Sequence, residues 1–154
     1  MSVSLTPFLD GNYRVPDQFA RPSYLISGGL VFVELSEKYI QESFHPSIRL
    51  QYLNLVSNFR ENLPERYVIL DSILPTSFNR GYRVEKQLVL SVNGSAVRSL
   101  AHLNSLIEEA KKRSQTIVIA LEGNRTIIMN SADLDAGDQE VRKTQAIPYL
   151  SNLQ

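Results

Sequence analysis

The chain has 154 residues, the size of one domain with a single core. Its 16 basic and 16 acidic residues balance, so bulk charge does not draw it to nucleic acid, and the absence of cysteine removes disulfides, thiolate metal sites and cysteine nucleophiles together. No apolar run reaches the roughly twenty residues that membrane insertion as a helix needs, and the N-terminus lacks the basic-then-apolar plan of a signal peptide.

Val3 and Leu5 alternate before Pro7 and read as a short strand, and residues 8–22, with Gly11, Pro16 and Pro22, read as a linker. The main domain begins with the apolar run at Tyr24. Leu30 to Leu35 is nearly continuously apolar after Ser27-Gly28-Gly29, which predicts a turn and then a buried strand. Ser36 is placed to cap a short helix running to Ser43. Pro46 and Ser47 open a longer helix in which Ile48, Tyr52, Leu55, Val56 and Phe59 recur at helical spacing, with Pro64 closing it.

Two strands follow, Tyr67 to Leu74 and Gln87 to Val92, the second ending at the turn dipeptide Asn93-Gly94. Ser99 suits an N-cap for a helix carrying Leu100, Leu103, Leu106, Ile107 and Ala110 as one stripe, with Glu108 and Lys112 set to pair across a turn. Thr116 to Leu121 and Arg125 to Met129 flank Glu122-Gly123-Asn124 as a hairpin. Beyond Asn130 the polar stretch that ends near Ile147, Tyr149 and Leu150 reads as a helix or a tail wrapping the domain. The sum is a mixed α+β domain with a small antiparallel sheet.

Catalytic constellations fare poorly. A serine before two glycines resembles a trypsin-like nucleophile, but Leu25 stands two residues before Ser27 where a glycine is needed, and the chain is too short for a double-barrel protease. His45 and His102 have no carboxylates near them at metal-ligand spacing, so neither points to a metal site. Gly28 and Gly29 precede a strand instead of a helix, and no phosphate-loop pattern occurs. Glu108-Glu109 and Asp133 with Asp135 lie in polar stretches that suit a solvated face. No catalytic role, metal or cofactor is expected.

A binding architecture remains. A glycine-led strand at 28–35 beside a striped helix at 99–112 makes a slot where a strand edge offers main-chain groups to an extended peptide and a loop of free amides holds a terminal carboxylate. The alternative is that both elements simply build the core.

The run from Arg21 to Ser36 resembles the start of the last PDZ domain of plant-type Deg (Do-like, HtrA-related) serine proteases. Tyr67 to Pro75 with Gly81-Tyr82, then Leu88 to Gly94 with Val97 and Leu103, are similar to that family in the same order. Val3-Ser4-Leu5-Thr6-Pro7 is similar to the closing strand of a preceding PDZ, so the resemblance implies a C-terminal piece with the protease and a first PDZ upstream. It divides the chain into a linker and strand remnant at 1–22, a PDZ-like domain with two main helices and a partial barrel at 23–130, and an extension packing on it at 131–154.

By that resemblance the carboxylate-binding loop falls on Gly29-Leu30-Val31-Phe32, where the β-branched Val31 replaces a glycine and counts against terminal-carboxylate capture. The implied site is Gly28, Gly29, Leu30, Val31 and Phe32 on the strand side and Leu100, Asn104 and Ile107 on the helix side. The implied role is a non-catalytic peptide- or protein-interaction module that regulates substrate access or oligomer assembly, with peptide segments or neighbouring protease and PDZ domains as partners. The isolated chain would be a monomer or weak dimer, in the periplasm for a bacterial protein and in an organelle or the nucleus for a plant one. The competing expectation is a structural brace whose groove is filled by its own 8–22 linker or by the tail after Ser131.

Overall fold

The computed structural model describes residues 23–57, 66–83, 86–147 and 149–153. The strand expected near Val3, the 8–22 linker, Phe59 and Pro64 lie outside these residues. Strands β1 (Tyr24–Ser27) and β2 (Leu30–Glu34) lead into helices α1 (Glu37–Ser43) and α2 (Pro46–Ser57). Strands β3 (Val68–Ile73), β4 (Gln87–Val92) and β5 (Ser95–Ala96) precede helix α3 (Leu100–Lys112). A hairpin of β6 (Thr116–Leu121) and β7 (Arg125–Asn130) then feeds helix α4 (Ser131–Thr144), and the short strand β8 (Ser151–Asn152) follows.

All pairings are antiparallel, in the order β7-β6-β4-β3-β2-β1-β8, with β5 attached to β4. Helix α4 packs on both β1 and β7, which stand near opposite ends of that order, so the sheet curls into a partial barrel whose seam is covered by a helix. Strand alternation sorts the two cores. Val68 and Leu70 of β3 join α3 residues Leu103 and Ile107 in the main core, whereas Ile69 between them points to a second core built with Ile40, Phe44, Tyr52 and Val56 from α1 and α2. There the Phe44 and Tyr52 rings stack at 4.3 Å.

The helix starts follow capping chemistry. Ser36 accepts from the Tyr39 amide and Ser99 from the His102 amide, each filling one of the donors a first turn leaves open. Several expectations change. The strand at 30–35 has a partner that periodicity did not separate, β1, and the stretch after Asn130 is a regular helix of 14 residues. Ile48 turns outward while Tyr52 and Val56 are buried, because α2 rests on the second core along a narrow stripe. Glu108 pairs with Lys111 instead of Lys112, and Glu109 pairs with Arg113, since Lys111 is drawn toward the acidic residues of α4.

Candidate functional site

Ser27 and Leu30 face each other across a two-residue turn in which Gly28 and Gly29 both take positive φ, 61° and 88°. That backbone is what a type I′ hairpin needs and what glycine adopts without strain. Space excludes anything larger. A Cβ on Gly29 would lie 2.4 Å from the Leu74 carbonyl oxygen, and one on Gly28 would lie 2.5 Å from the Leu134 side chain. The loop of free amides expected ahead of the strand is therefore a packed hairpin turn.

Its polar groups are claimed from three directions. The Gly28 amide donates to Asp138 Oδ1 at 2.7 Å, the Gly28 carbonyl accepts from Asn79 Nδ2 at 3.0 Å, and the Gly29 carbonyl accepts from the Leu74 amide at 2.7 Å. Asn79 is buried and fully engaged, since Nδ2 also donates to the Leu74 carbonyl and Oδ1 accepts from the Thr76 amide. One side-chain amide thus ties the turn to the loop after β3.

Helix α4 lies directly over the turn. A Cβ on Gly137 would come within 3.0 Å of the Gly28 Cα, so a glycine that costs helix stability in mid-helix is what permits the approach. Lys111 of α3 reaches Asp138 Oδ2 at 3.4 Å, Asp135 Oδ1 at 3.1 Å and Glu108 Oε1 at 3.5 Å. Burial raises the pKa of Asp138, opposed by the Gly28 amide and Lys111. Burial alone would lower the pKa of Lys111, but the surrounding carboxylates outweigh it and the net direction is up.

The residues named from the sequence converge, with one addition that changes the groove. Helix α3 packs beside β1 and β2, and Leu100 and Ile107 share the main core with Leu30 and Phe32. Asn104 sits partly buried on the same helical face, and Val31 is half-buried on the opposite face of β2. Yet β2 has β3 on one edge and β1 on the other, with Leu25 opposite Phe32 and Ile26 opposite Val31. A segment adding to that edge meets β1 already there. The outer edge of β1 is held in turn by β8, with the Ile26 amide donating to the Leu150 carbonyl at 2.6 Å and the Tyr24 hydroxyl to the Tyr149 carbonyl at 3.1 Å.

The other candidates have local duties. Ser27 is 3% exposed, and its hydroxyl has no hydrogen-bond partner among the described residues. His45 Nδ1 lies 2.8 Å from Ser47 Oγ at the start of α2, and His102 Nδ1 accepts from the Arg98 amide ahead of α3. Among the described residues no three His, Asp or Glu side chains gather as a metal site, and no helix is long and apolar enough to cross a membrane. Sequence reasoning missed Asn79, Lys111, Gly137 and Asp138. The one available signal was a glycine inside an otherwise helical stretch.

A curled antiparallel sheet with a striped helix laid beside a glycine-turned strand defines a class of α+β interaction domain. The PDZ domain family profile matches residues 15–151, and the chain belongs to the PDZ domain family. Protease Do-like 2, chloroplastic, of Arabidopsis thaliana is 33% identical over 152 residues, covering 95% of this chain and 23% of that protein. Protease Do-like 4, mitochondrial, of the same plant is 30% identical over 128 residues, covering 82% and 22%. The serine protease DegP homolog of Plasmodium falciparum is 37% identical over 91 residues, covering 59% and 10%. The chain spans less than a quarter of the length of these relatives and is a PDZ region of the Deg/HtrA type. A PDZ domain is a non-catalytic module for protein interaction.

Proposed function

We propose that this PDZ region serves assembly within a Deg/HtrA-type protease, contacting neighbouring domains or subunits, while its strand–helix groove is filled by its own β1 and does not capture free C-termini. The parent protein is then a serine endopeptidase whose active site lies elsewhere in its chain. One observation carries the reading: β1 pairs along the β2 edge, with Leu25 in the core shared by Leu100 and Ile107. Strand addition needs unpaired main-chain groups on an edge, and this edge has spent them. Val31 at the glycine position of the loop supports the same conclusion, as does Asp138 on the Gly28 amide.

Gly28, Gly29, Leu30, Val31, Phe32, Leu100, Asn104 and Ile107 form, in this reading, the walls of an internally occupied groove. Amide chemical shifts of the chain titrated with short peptides, with free and with amidated C-termini, test it. No saturable change over residues 24–34 is expected from either. Saturable shifts at 28–34 from the free acids alone would restore carboxylate capture in place of self-occupancy.

A further inference from the structure

Helix α4 is fastened to the groove hairpin at two points and braced from α3 at a third. Gly137 brings its backbone against Gly28, Asp138 accepts the Gly28 amide, and Lys111 ties Asp138 and Asp135 to α3. The chain beyond it clasps β1 through the Leu150 and Tyr149 carbonyls. Strand β1 itself is four residues long, joined to β2 through a two-residue turn. A hairpin that short is marginal without tertiary support, which here comes from β8, from the burial of Leu25 and Ile26 and from the helix over the turn.

We propose that α4 is a latch: its seating on the Gly28–Gly29 turn holds β1 in the groove, and unseating it frees the β2 edge for an extended peptide segment. This rests on the reading that β1 fills the groove. The occupant follows from what β1 supplies. It must pair antiparallel with β2 through its main chain and place an aliphatic side chain where Leu25 stands opposite Phe32. Opening then costs the Asp138 and Gly137 contacts, the β1–β8 pairing and the burial of Leu25 and Leu134, but leaves the β3-β4-β6 pairings in place, which makes it a local equilibrium that a partner pulling on α4 shifts.

Two variants separate the latch from simple loss of structure. Asp138→Ala removes the acceptor of the Gly28 amide. Gly137→Ala raises the helix propensity of α4 while wedging a methyl group against Gly28. The probe is a fluorescent peptide with the sequence of residues 22–28, beside a scrambled control, followed by anisotropy on the full chain. Wild type is expected to give no saturable binding, and both variants to bind the probe but not the control. Amide hydrogen exchange over residues 24–34 should accelerate in both, about tenfold or more in Asp138→Ala, the weight of one charge-assisted hydrogen bond. Cooperatively folded variants with wild-type exchange and no binding overturn the latch and leave the filled groove standing. Binding by wild type as tight as by the variants overturns the filled-groove reading and the latch with it.

Discussion

The turn at Gly28–Gly29 and the turn at Asn93–Gly94 each join antiparallel neighbours through two residues at positive φ, yet their surroundings are opposite. A Cβ on Gly94 would meet nothing within 4 Å, while one on Gly29 would strike a backbone oxygen. Asn93 and Gly94 are exposed, and Asn93 spends its side chain on the neighbouring strand, accepting from the Val118 amide at 2.8 Å. The Gly28–Gly29 turn is buried beneath α4 and the loop at Asn79. The same local rule for hairpins therefore serves a solvent-facing bend in one place and a turn packed under α4 in the other. Backbone chemistry sets the shape of a turn, and the partners set what the turn is for.

Of the two turns, the packed one should tolerate substitution less, above all at Gly29. Gly29→Ala meets both a strained φ, about 1–2 kcal/mol, and overpacking against the immovable Leu74 carbonyl, about 1–3 kcal/mol. A loss of about 3 kcal/mol is expected, read as a fall in Tm of roughly 10 °C for a domain of this size. A melt within about 2 °C of wild type would show that the turn is not packed as described. Gly94→Ala carries only the strain, so about 1 kcal/mol is expected by urea denaturation, with an unchanged m-value.

The smallest effect sharpens the electrostatic side. Because burial above all raises the pKa of Asp138, the folded chain holds that proton more tightly than the unfolded one. The stability this represents is complete below the ordinary carboxylate pKa and is lost as pH rises through the raised value. Asp138→Asn cannot titrate. Its stability relative to wild type is therefore expected to be higher at pH 7 than near about pH 4 in matched denaturation curves. The groups facing that carboxylate are the Gly28 amide, Lys111 from α3 and Asp135 one turn earlier, with Glu108 sharing Lys111. A relative stability that rises on acidification would mean that Lys111 outweighs burial.

Much of the fold could be read in advance because its signals are local. The stripe of α3 with its Ser99 cap, the Ser36 cap, the β6–β7 hairpin and the central strands all follow from period, cap and turn chemistry. That Leu30 and Phe32 would lie against Leu100 and Ile107 was legible too, and the structure puts all four in one core. The pairing of β1 along β2 was not anticipated. Tyr24 to Ser27 is a short apolar run, and the Gly28-Gly29 pair between it and the next run is a two-residue hairpin signal, where only a turn ahead of a strand was expected. Asp138, 110 residues from Gly28 along the chain, gave no sign of its role in a stretch that reads simply as polar and acidic.

The amino-acid order alone set α1 to α3, the central strands, the turns and most inward faces, since those depend on neighbours within a few positions. That β1 stays on the edge of β2 and that α4 closes over the turn came from packing beyond any local signal. Helix α4 meets the turn across 110 residues of sequence, and β1, though the hairpin neighbour of β2, is held there by β8 and by burial of Leu25, so close approach of backbones and burial of a single carboxylate outweigh local preference.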